Sequence, residues 1–566
     1  MYINEYDIEE LVKLYNALEK PKIKMMKIWQ DVVDYVRYTK VNIYDLYSRV
    51  NTPPTMDGIY DDTAIRWSER LNSFICSTLT NPDSVWMNIQ TDSNKLNKNS
   101  AAKRWFEELE EVIMNEYENS NFYTEIKKFY NDLTSFGIAI MYISKSSKTN
   151  INGNLNFSTR DIFECGIGEN EDGYVDRLCH KRLMTAYQVV AKWGIENVSE
   201  ETKELYKNNP EELVTIINAV FPREKYSSSK KAKKNKKKFA SIWFELDNKS
   251  FLERSGIDYF PYVITRWSRD TGEIYGTSPI IDCLPSIKTA NAMKYTQVLN
   301  GEFQADAPIV YDERYYKQMK KYKPGVRIPV QPRQDGSVDK IIVPVLTNAA
   351  QFTISVEQLA KEQENIKDAL YGNQIQTPGV TKEMTAYEFR MRQLEATKIL
   401  GPTASILRSE MLAPTLLISI GVMSTIPSDV DKAKSILPDA PQEILDEKLN
   451  YRFRYISTLS KSQRLHEVES INYIIQTAMQ WAQINPSVMD NIDMDYSFRR
   501  IHGSDMCPEG MLVDETERDK KRAIKAKQQE QEREMMIRSQ QAEAMKNLGA
   551  ANKNFQGQDA EAIANG

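Results

Sequence analysis

The sequence contains few residues of the kinds that bind metals or form disulfides. Its 566 residues include three histidines and five cysteines. The cysteines are scattered without a close pair: Cys76, Cys165, Cys179, Cys283 and Cys507. Such spacing suits a reducing cytoplasm better than a disulfide framework, so we expect reduced and mostly buried thiols.

The common catalytic motifs are missing as well. A phosphate-binding loop needs a Gly-Lys pair to hold phosphates, and no such pair occurs anywhere in the chain. His466-Glu467 lacks the second histidine of H-E-x-x-H, and there is no Gly-x-Ser-x-Gly elbow. These absences argue against an ATPase with a phosphate-binding loop, a zinc hydrolase and a serine hydrolase. They predict a protein that is not an enzyme and that needs no cofactor.

Two groups of residues could still suggest a metal. Cys179 precedes His180, but no second Cys/His pair accompanies them, so an ordinary packed or surface histidine is the better interpretation. Three aspartates lie close together at Asp490, Asp493 and Asp495. They lack the glycine and distant glutamate of a calcium loop, and helix capping explains them better. We therefore expect no metal site.

Long apolar runs and an excess of positive charge are also lacking. The longest apolar run, Ala413–Met423, is well short of the roughly 20 residues that span a bilayer, and Pro414 interrupts it. The acidic N-terminus does not resemble a secretory signal. We expect no membrane span and no export. The net charge of -5 predicts that any contact with DNA is loose or local.

Apolar spacing predicts a mainly α chain with α+β regions. Residues 7–49 are helix-like, with a break near Pro21, and another helix follows from Asp62. Residues 100–145 indicate a helix pair running into a buried strand at 137–143. The segment 150–270 is strand-rich, with strand candidates at 173–178, 239–246 and 262–265. At this length, two or more structural regions are expected.

The middle of the chain is predicted to contain a helix, then a small strand-containing insert, and then a second helix. The two helices are predicted over about 285–304 and 352–371, and the insert covers 308–346. Pro378-Gly379 then marks a polar loop.

The final third is predicted to be helical. Thr385 and Glu388 match a capping box, which predicts a long helix that Gly401-Pro402 and Pro414 divide and kink. Residues 460–500 and the charge-dense segment 516–547 read as further helices. Disorder is expected from about Gly549.

A dense run of positive charge lies between two of the predicted elements. Lys230–Lys238 holds seven lysines in nine positions. Such a run repels itself and reads as a solvated, disordered loop. The alternative is a weak electrostatic docking site for nucleic acid or an acidic partner.

Beyond these patterns, the chain resembles the head-to-tail connector family of short-tailed bacteriophages. No single motif carries the resemblance, which rests on the order and spacing of structural signatures from about 30 to 530. In the first half they are Ile59–Ala64, Leu71–Phe74, Asn81-Pro82, Trp86, Phe136-Gly137, Arg266-Trp267, Gly272–Gly276, Ser278-Pro279 and Leu284–Asn291. In the second half they are Thr385-Ala386, Glu388, Arg390, Leu400–Pro402, Glu410–Pro414, Ser457–Leu459, Gln463-Arg464, Asp493 and Gly503. The run at 230–238 is not part of the pattern.

The resemblance implies a portal fold that assembles into a ring, usually of twelve subunits. Its parts would be the wing (1–280 and 385–455), the stem helices (281–305 and 351–371), the clip (306–350), the channel loop (372–384) and the crown (456–548), followed by a disordered tail (549–566). The implied role is a conduit for double-stranded DNA during packaging and ejection. The implied partners are the terminase large subunit, the tail adaptor, and the major capsid and scaffolding proteins. The protein would be assembled in the host cytoplasm and reside in the virion.

The resemblance also designates candidate site residues. The channel loop would use Gly372, Asn373, Gln374, Gln376, Thr377, Pro378, Gly379 and Lys382. The clip would meet terminase and adaptor through Lys321, Lys323, Arg327 and Arg333. The polar face of the second stem helix carries Glu357, Lys361, Glu364 and Asp368. This face could line the pore or pack against the neighbouring stem, and the sequence leaves both open. An internal scaffold-type assembly protein is the alternative function.

Overall fold

The computed structural model describes most of the chain. The described residues are 3–45, 47, 52–82, 86–91, 100–146, 153–227, 237–305, 309–311, 342–344, 350–375, 401–427, 435–441, 451–455, 458–483, 486–501 and 515–564. The chain divides into two compact units. The first comprises Met1–Gln90, Glu107–Ala440 and Asn450–Ser462, and the second comprises Thr91–Phe106, Pro441–Leu449 and Gln463–Gly566.

The described residues are predominantly helical. The α-helices are α1 Ile8–Tyr35, α2 Thr63–Leu79, α3 Ser100–Asn119, α4 Phe122–Phe136, α5 Ala186–Trp193, α6 Glu200–Asn208, α7 Arg223–Tyr226, α8 Pro279–Asp282, α9 Leu284–Ala305, α10 Ala350–Ala369, α11 Gly372–Ile375, α12 Gly401–Leu407, α13 Ala413–Met423, α14 Thr458–Ala482, α15 Met494–Ile501 and α16 Glu515–Ala564. Short 3₁₀ segments lie at Tyr38–Lys40, Ile162–Glu164 and Pro486–Asn491, and a π-helical segment lies at Arg408–Leu412.

The strands of the described residues form four sheets. They are β1 Met87–Thr91, β2 Ile138–Lys145, β3 Leu155–Arg160, β4 Cys165–Glu169, β5 Val175–Thr185, β6 Leu213–Pro222, β7 Phe239–Glu245, β8 Ser250–Ile257, β9 Tyr262–Arg266, β10 Ile309–Tyr311, β11 Ile342–Pro344 and β12 Tyr451–Tyr455. The largest sheet has the order β4-β5-β6-β7-β8, and β3-β2-β9 forms a second sheet. Both are antiparallel throughout. Two pairs complete the set, β1 with β12 and β10 with β11. The mainly α fold with α+β regions is thus confirmed.

The first helix crosses the proline that was predicted to break it. Asp7 caps α1 by accepting the N–H of Glu9, and the helix then runs through Pro21 without interruption. An interior proline costs roughly 3 kcal/mol, because it removes a hydrogen bond and crowds the preceding turn. Tertiary contacts on both sides offset this cost. Leu18 is buried before the proline, and after it Lys22 Nζ donates to the Phe163 carbonyl at 2.9 Å.

The five-stranded sheet buries apolar side chains on both faces. Leu11, Leu14 and Leu18 of α1 join Cys179, Phe221 and Phe244 in one cluster. Trp193 of α5 joins Met184, Val214 and Ile216 in the other. Alternate residues of one strand point to opposite faces, so β5 contributes Cys179 to the first cluster and Met184 to the second. A sheet covered in this way needs the long apolar strand β6, in which Val214 through Phe221 are all buried.

The smaller sheet packs against an aromatic cluster. Tyr117, Phe122 and Phe157 are fully buried, and the rings of Tyr117 and Phe122 lie 4.3 Å apart in a stacked arrangement. The hydroxyl groups of Tyr117 and Ser419 hydrogen-bond at 3.1 Å, which links α3 to α13. This cluster therefore joins the helix pair α3 and α4 to the later helix α13.

The apolar segment Ser405–Met423 is a core helix of this protein. By length and composition alone it could cross a membrane. Its side chains Leu416, Ser419 and Val422 are nevertheless buried, and α13 contacts β2 and β3. The sequence predicted that Pro414 would divide this segment. The structure has α12 end at Leu407 and α13 begin at Ala413, with the π-helical segment Arg408–Leu412 between them, and Pro414 lies in the first turn of α13.

The second unit contains long helices. Asp493 caps α15 by accepting the Tyr496 N–H at 2.9 Å, as the capping interpretation predicted. Asp495 forms an ion pair with Arg522 and lies 3.5 Å from Arg518, so it holds α15 against α16. The predicted disorder from Gly549 is corrected, since α16 continues to Ala564. The segment is rich in alanine and has no proline, which favours a helix over the disorder that its small polar residues suggested.

Candidate functional site

The predicted helix-insert-helix segment is present. Helices α9 and α10 pack along each other, and β10 and β11 pair antiparallel between them in sequence. The register joins Ile309 to Pro344 and Tyr311 to Ile342. The remaining insert residues 312–341 lie outside the described part of the chain. These residues include the clip candidates Lys321, Lys323, Arg327 and Arg333.

A polar anchor fixes the two helices to the loop before α2. The Asn291 side chain of α9 accepts the N–H groups of Tyr60 and Asp61 at 2.7 and 3.1 Å, and donates to the Gly58 carbonyl at 2.9 Å. Gln363 of α10 donates to the Asp61 carboxylate at 2.6 Å. Both helices thus hold the same short loop. Because the Asn291 side chain bonds three backbone groups, both its distance from the loop and its orientation relative to the loop are fixed.

Apolar and ionic contacts complete the attachment. Ile287 of α9, Ile366 of α10 and Leu370, which directly follows α10, are buried. Lys288 pairs with Asp31 of α1 at 2.6 Å. Further along α9, Val298 is 44% exposed although it continues the apolar spacing of Ile287. The body therefore covers only the first half of this helix.

The predicted polar face of α10 is solvent-exposed in the single chain. Glu357, Lys361, Glu364 and Asp368 are all exposed. Lys367 pairs with Glu364 at 3.1 Å. Hydrogen bonds from Lys367 and then from Asn373 lower the pKa of the Glu364 carboxyl, so it stays ionised. Exposure of this face fits both readings of the sequence, a pore lining and a contact with a neighbouring helix.

The predicted channel loop begins with a helical turn rather than a loop. Tyr371 adopts a left-handed conformation with φ of 59°, and Gly372–Ile375 then forms α11. Asn373 donates to Glu364 at 3.2 Å and also to Asp368, so α11 is tied to the acidic face of α10. Gly372 is required here because a Cβ would meet the Lys367 carbonyl at 2.8 Å and the Trp67 ring at 2.9 Å.

The rest of the predicted loop is not described. Gln374 belongs to α11, but nothing is described of its side chain. Gln376, Thr377, Pro378, Gly379 and Lys382 lie outside the described residues.

Two glycines from separate motifs meet at the root of the helix pair. Gly137 and Gly276 approach so closely that a Cβ on either would lie 2.5 Å from the other's carbonyl oxygen. Gly137 also has a φ of 79°, and its carbonyl accepts the Trp267 N–H at 3.0 Å. Ser278 donates to the Ser135 carbonyl and caps α8. The sequence motifs around 136 and 276 are therefore halves of one backbone junction.

An ion network that the sequence did not predict lies beside this junction. Arg266 of β9 is almost fully buried and donates to Glu410 at 2.9 Å, while the backbone N–H of Arg266 also reaches that carboxylate at 3.0 Å. Arg266 pairs with Glu169 as well, and Arg269 reaches Glu169 at 2.6 Å. Glu410 lies in the π-helical segment. Arg266 and Glu410 both stood in motifs, but no sequence signal paired them.

No cluster of three or more His, Cys, Asp or Glu side chains that could hold a metal occurs among the described residues. His180 is buried and its Nε2 lies 3.2 Å from the Glu164 carboxylate. Cys165, Cys179 and Cys283 are buried free thiols, and Cys76 is half-buried. Cys507 lies outside the described residues.

These features define a fold in which a pair of long helices is anchored at one end in an α+β body. The chain belongs to the bacteriophage head to tail connecting protein family, whose model matches residues 9–512. It is 23% identical over 490 residues to the probable portal protein of Bordetella phage BPP-1, covering 86% of this chain and 85% of the relative. It is also 23% identical over 501 residues to the portal protein of Salmonella phage epsilon15, covering 87% and 86%. The resemblance found in the sequence is confirmed.

Proposed function

We propose that this chain is the portal subunit of a short-tailed bacteriophage, a non-enzymatic component of the virion. The observation that carries the proposal is the family match over residues 9–512, together with two relatives that are named as portal proteins and are covered for most of their length. A ring of twelve identical subunits would form at one capsid vertex. Double-stranded DNA would enter and leave through it.

The helix pair α9 and α10 would form the stem of this ring. Residues 306–350 would form the clip, 372–384 the channel loop, 1–280 and 385–455 the wing, and 456–548 the crown. The anchor at Asn291 supports a stem that keeps its angle to the wing, because both helices hold the loop at residues 58–61. The clip would dock the terminase large subunit and then the tail adaptor. Other parts of the ring would meet the major capsid and scaffolding proteins.

The acidic face of α10 would keep DNA mobile if it lines the pore. In a closed ring each charge is repeated around the axis, so Glu357, Glu364 and Asp368 would outnumber Lys361 many times over. Phosphate contacts release counterions and bind DNA strongly, which would hinder sliding. Lys367 and Asn373 hold Glu364 at a fixed place on this face.

A double substitution tests the pore reading. Glu364→Lys with Asp368→Lys should slow packaging of DNA in a reconstituted motor assay. Asn373→Ala serves as the control, because it removes the hydrogen bonds to both carboxylates without changing charge. Unchanged packaging kinetics in the lysine variant would favour the alternative, in which this face packs against the neighbouring stem.

Negative-stain images of the purified protein test the proposal as a whole. Rings with a central hole are expected, and native mass spectrometry should give the subunit number. Elongated monomers or amorphous oligomers would contradict it. ATP hydrolysis by the purified protein would point instead to a packaging enzyme.

An internal scaffold-type assembly protein is the second candidate. The observation that favours it is α16, a long charged helix whose described side chains from 519 to 547 are exposed. Long charged helices of this kind are typical of assembly proteins that bind their partners through coiled coils. Removing residues 515–566 distinguishes the two functions, since a portal should still form rings whereas a scaffold should lose its assembly activity.

A further inference from the structure

Two arginines between the two larger sheets have no anionic partner. Arg160 ends β3 and Arg182 lies on β5, and neither guanidinium forms an ion pair or a hydrogen bond with any described residue. The Nε atom of Arg160 is fully buried and lacks an acceptor. Buried polar groups in proteins are nearly always hydrogen-bonded, so an orphan donor of this kind calls for a ligand that the chain does not supply.

The fold brings both arginines to one place. Tyr262 of β9 donates to Asn218 of β6 at 3.2 Å, which shows that the smaller sheet faces the five-stranded sheet here. Arg160 lies over the Tyr142 ring at 5.2 Å, on the smaller sheet. The register pairs Cys165 with His180, and this places Arg182 next to the 3₁₀ turn that directly follows Arg160.

A third cation lies at the edge of the same cluster. Lys192 of α5 sits 3.9 Å from the Trp243 ring and 4.3 Å from the Trp193 ring, and it too forms no ion pair with a described residue. Burial and then the charge of Arg182 lower the pKa of the Lys192 ammonium. Burial and then the charge of Arg160 lower the pKa of Arg182 in the same way. The three cations therefore act on one another.

The carboxylates nearby offset this charge only in part, since Glu164 acts on Arg182 and Glu253 on Lys192. Glu164 is hydrogen-bonded to His180, and Glu253 accepts the indole N–H of Trp193 at 3.1 Å. Two carboxylates stand against three cations, and both are already engaged elsewhere. An excess of positive charge thus remains in a partly desolvated place between two sheets.

We propose that this cluster, formed by Arg160, Arg182 and Lys192, binds a small oxyanion such as inorganic phosphate or sulfate. Guanidinium groups present planar donors that match tetrahedral oxyanions, and charge-assisted hydrogen bonds of this kind are stronger than neutral ones. The aromatic rings of Tyr142 and Trp243 would wall the site and exclude bulk water. The bound anion would join the two sheets by satisfying donors from both.

The test measures phosphate binding by isothermal titration calorimetry at constant ionic strength, with chloride as the exchanged ion. Arg182→Gln should weaken binding about tenfold or more, since a hydrogen bond to a charged group is typically worth about the 1.4 kcal/mol that corresponds to a factor of ten. Lys192→Gln, a change at an exposed position, should weaken it less. Glu253→Gln should tighten it, because a competing negative charge is removed while the acceptor for Trp193 is kept.

Arg254→Gln is the matched control. Arg254 is an exposed arginine of β8 that stacks on Tyr6 and Phe251, and its loss changes the net charge by the same amount. It should leave phosphate affinity unchanged. The proposal would be overturned by no measurable phosphate binding to the unaltered protein, or by equal weakening in the Arg182 and Arg254 variants. None of these measurements depends on ring formation or DNA transport, so they test the anion site independently of the portal proposal.

Discussion

The two units differ in the solvent exposure of the large aromatic side chains compared below. In the first unit, Trp29, Tyr117 and Phe122 are fully buried, and glycines and an ion network join distant segments at the root of the helix pair. In the second unit, Tyr473, Trp481 and Phe498 are 71%, 62% and 56% exposed. The comparison teaches that the named rings of the first unit contribute to its core, whereas those of α14 and α15 remain exposed and available to a partner.

The largest effect on unfolding is expected at Arg266. Arg266→Met should lower the free energy of unfolding by about 3–5 kcal/mol, because it leaves the partly buried Glu410 without its cation and Glu169 with only the more exposed Arg269. Urea unfolding followed by tryptophan fluorescence measures the change. Arg269→Gln is the control, since Arg269 is more exposed and its pair with Glu169 should contribute under about 1 kcal/mol. Equal effects of the two variants would refute the structural role of the network.

A somewhat smaller loss is expected at the glycine junction. Gly276→Ala places a Cβ 2.5 Å from the Gly137 carbonyl oxygen and should cost about 1–3 kcal/mol of stability. Gly301→Ala should change stability in the opposite direction, by up to about 1 kcal/mol, because Gly301 lies in α9 with open space around its Cα. Thermal unfolding should show a loss of stability for Gly276→Ala and a gain for Gly301→Ala. A neutral Gly276→Ala would mean that the two backbones can separate at little cost.

Lowering the pH should produce a further, smaller loss of folding stability. Burial lowers the pKa of His180 below its ordinary value near 6.5, even though the hydrogen bond with Glu164 acts in the other direction. As the pH falls below the pKa of His180 in the unfolded chain, the unfolded chain takes up the proton first, so stability falls. Above about pH 7 both states are neutral and this contribution is constant.

Comparing the unaltered protein with His180→Gln isolates this histidine. The difference in unfolding free energy between them should change from pH 7 to pH 5, with the unaltered protein losing more. Parallel pH profiles would show that His180 titrates alike in the folded and unfolded chains.

The smallest effect on unfolding is expected in the second unit. Trp481→Ser should alter the stability of the isolated chain by no more than about 0.5 kcal/mol, because the indole is already in solvent. The same change should weaken self-association if the exposed face meets a neighbouring subunit, as sedimentation velocity would show. A loss of stability comparable to that of Arg266→Met would erase the contrast between the two units.

Local signals were sufficient where an element is determined by its own spacing and caps. The helix pair α9 and α10, the capping role of Asp493 and the buried strand β2 all follow from apolar periodicity and turn residues close in sequence. The same signals failed at Pro21, where Leu18 and Lys22 are held by distant parts of the chain. They also failed at Gly372–Ile375, where the predicted loop is a helical turn tied to α10 through Asn373.

By itself, the sequence determined the family, the mainly α character and the order of helix, insert and helix, because these depend on patterns spread along the chain. Only the tertiary structure decided which motif residues act together. Gly137 and Gly276 were both visible in the sequence, as were Arg266 and Glu410, yet their pairing spans well over a hundred residues. The unpaired Arg160 and Arg182 were invisible for the same reason. Whether a charge is compensated depends on what the fold places within a few ångströms of it, and no local spacing encodes that.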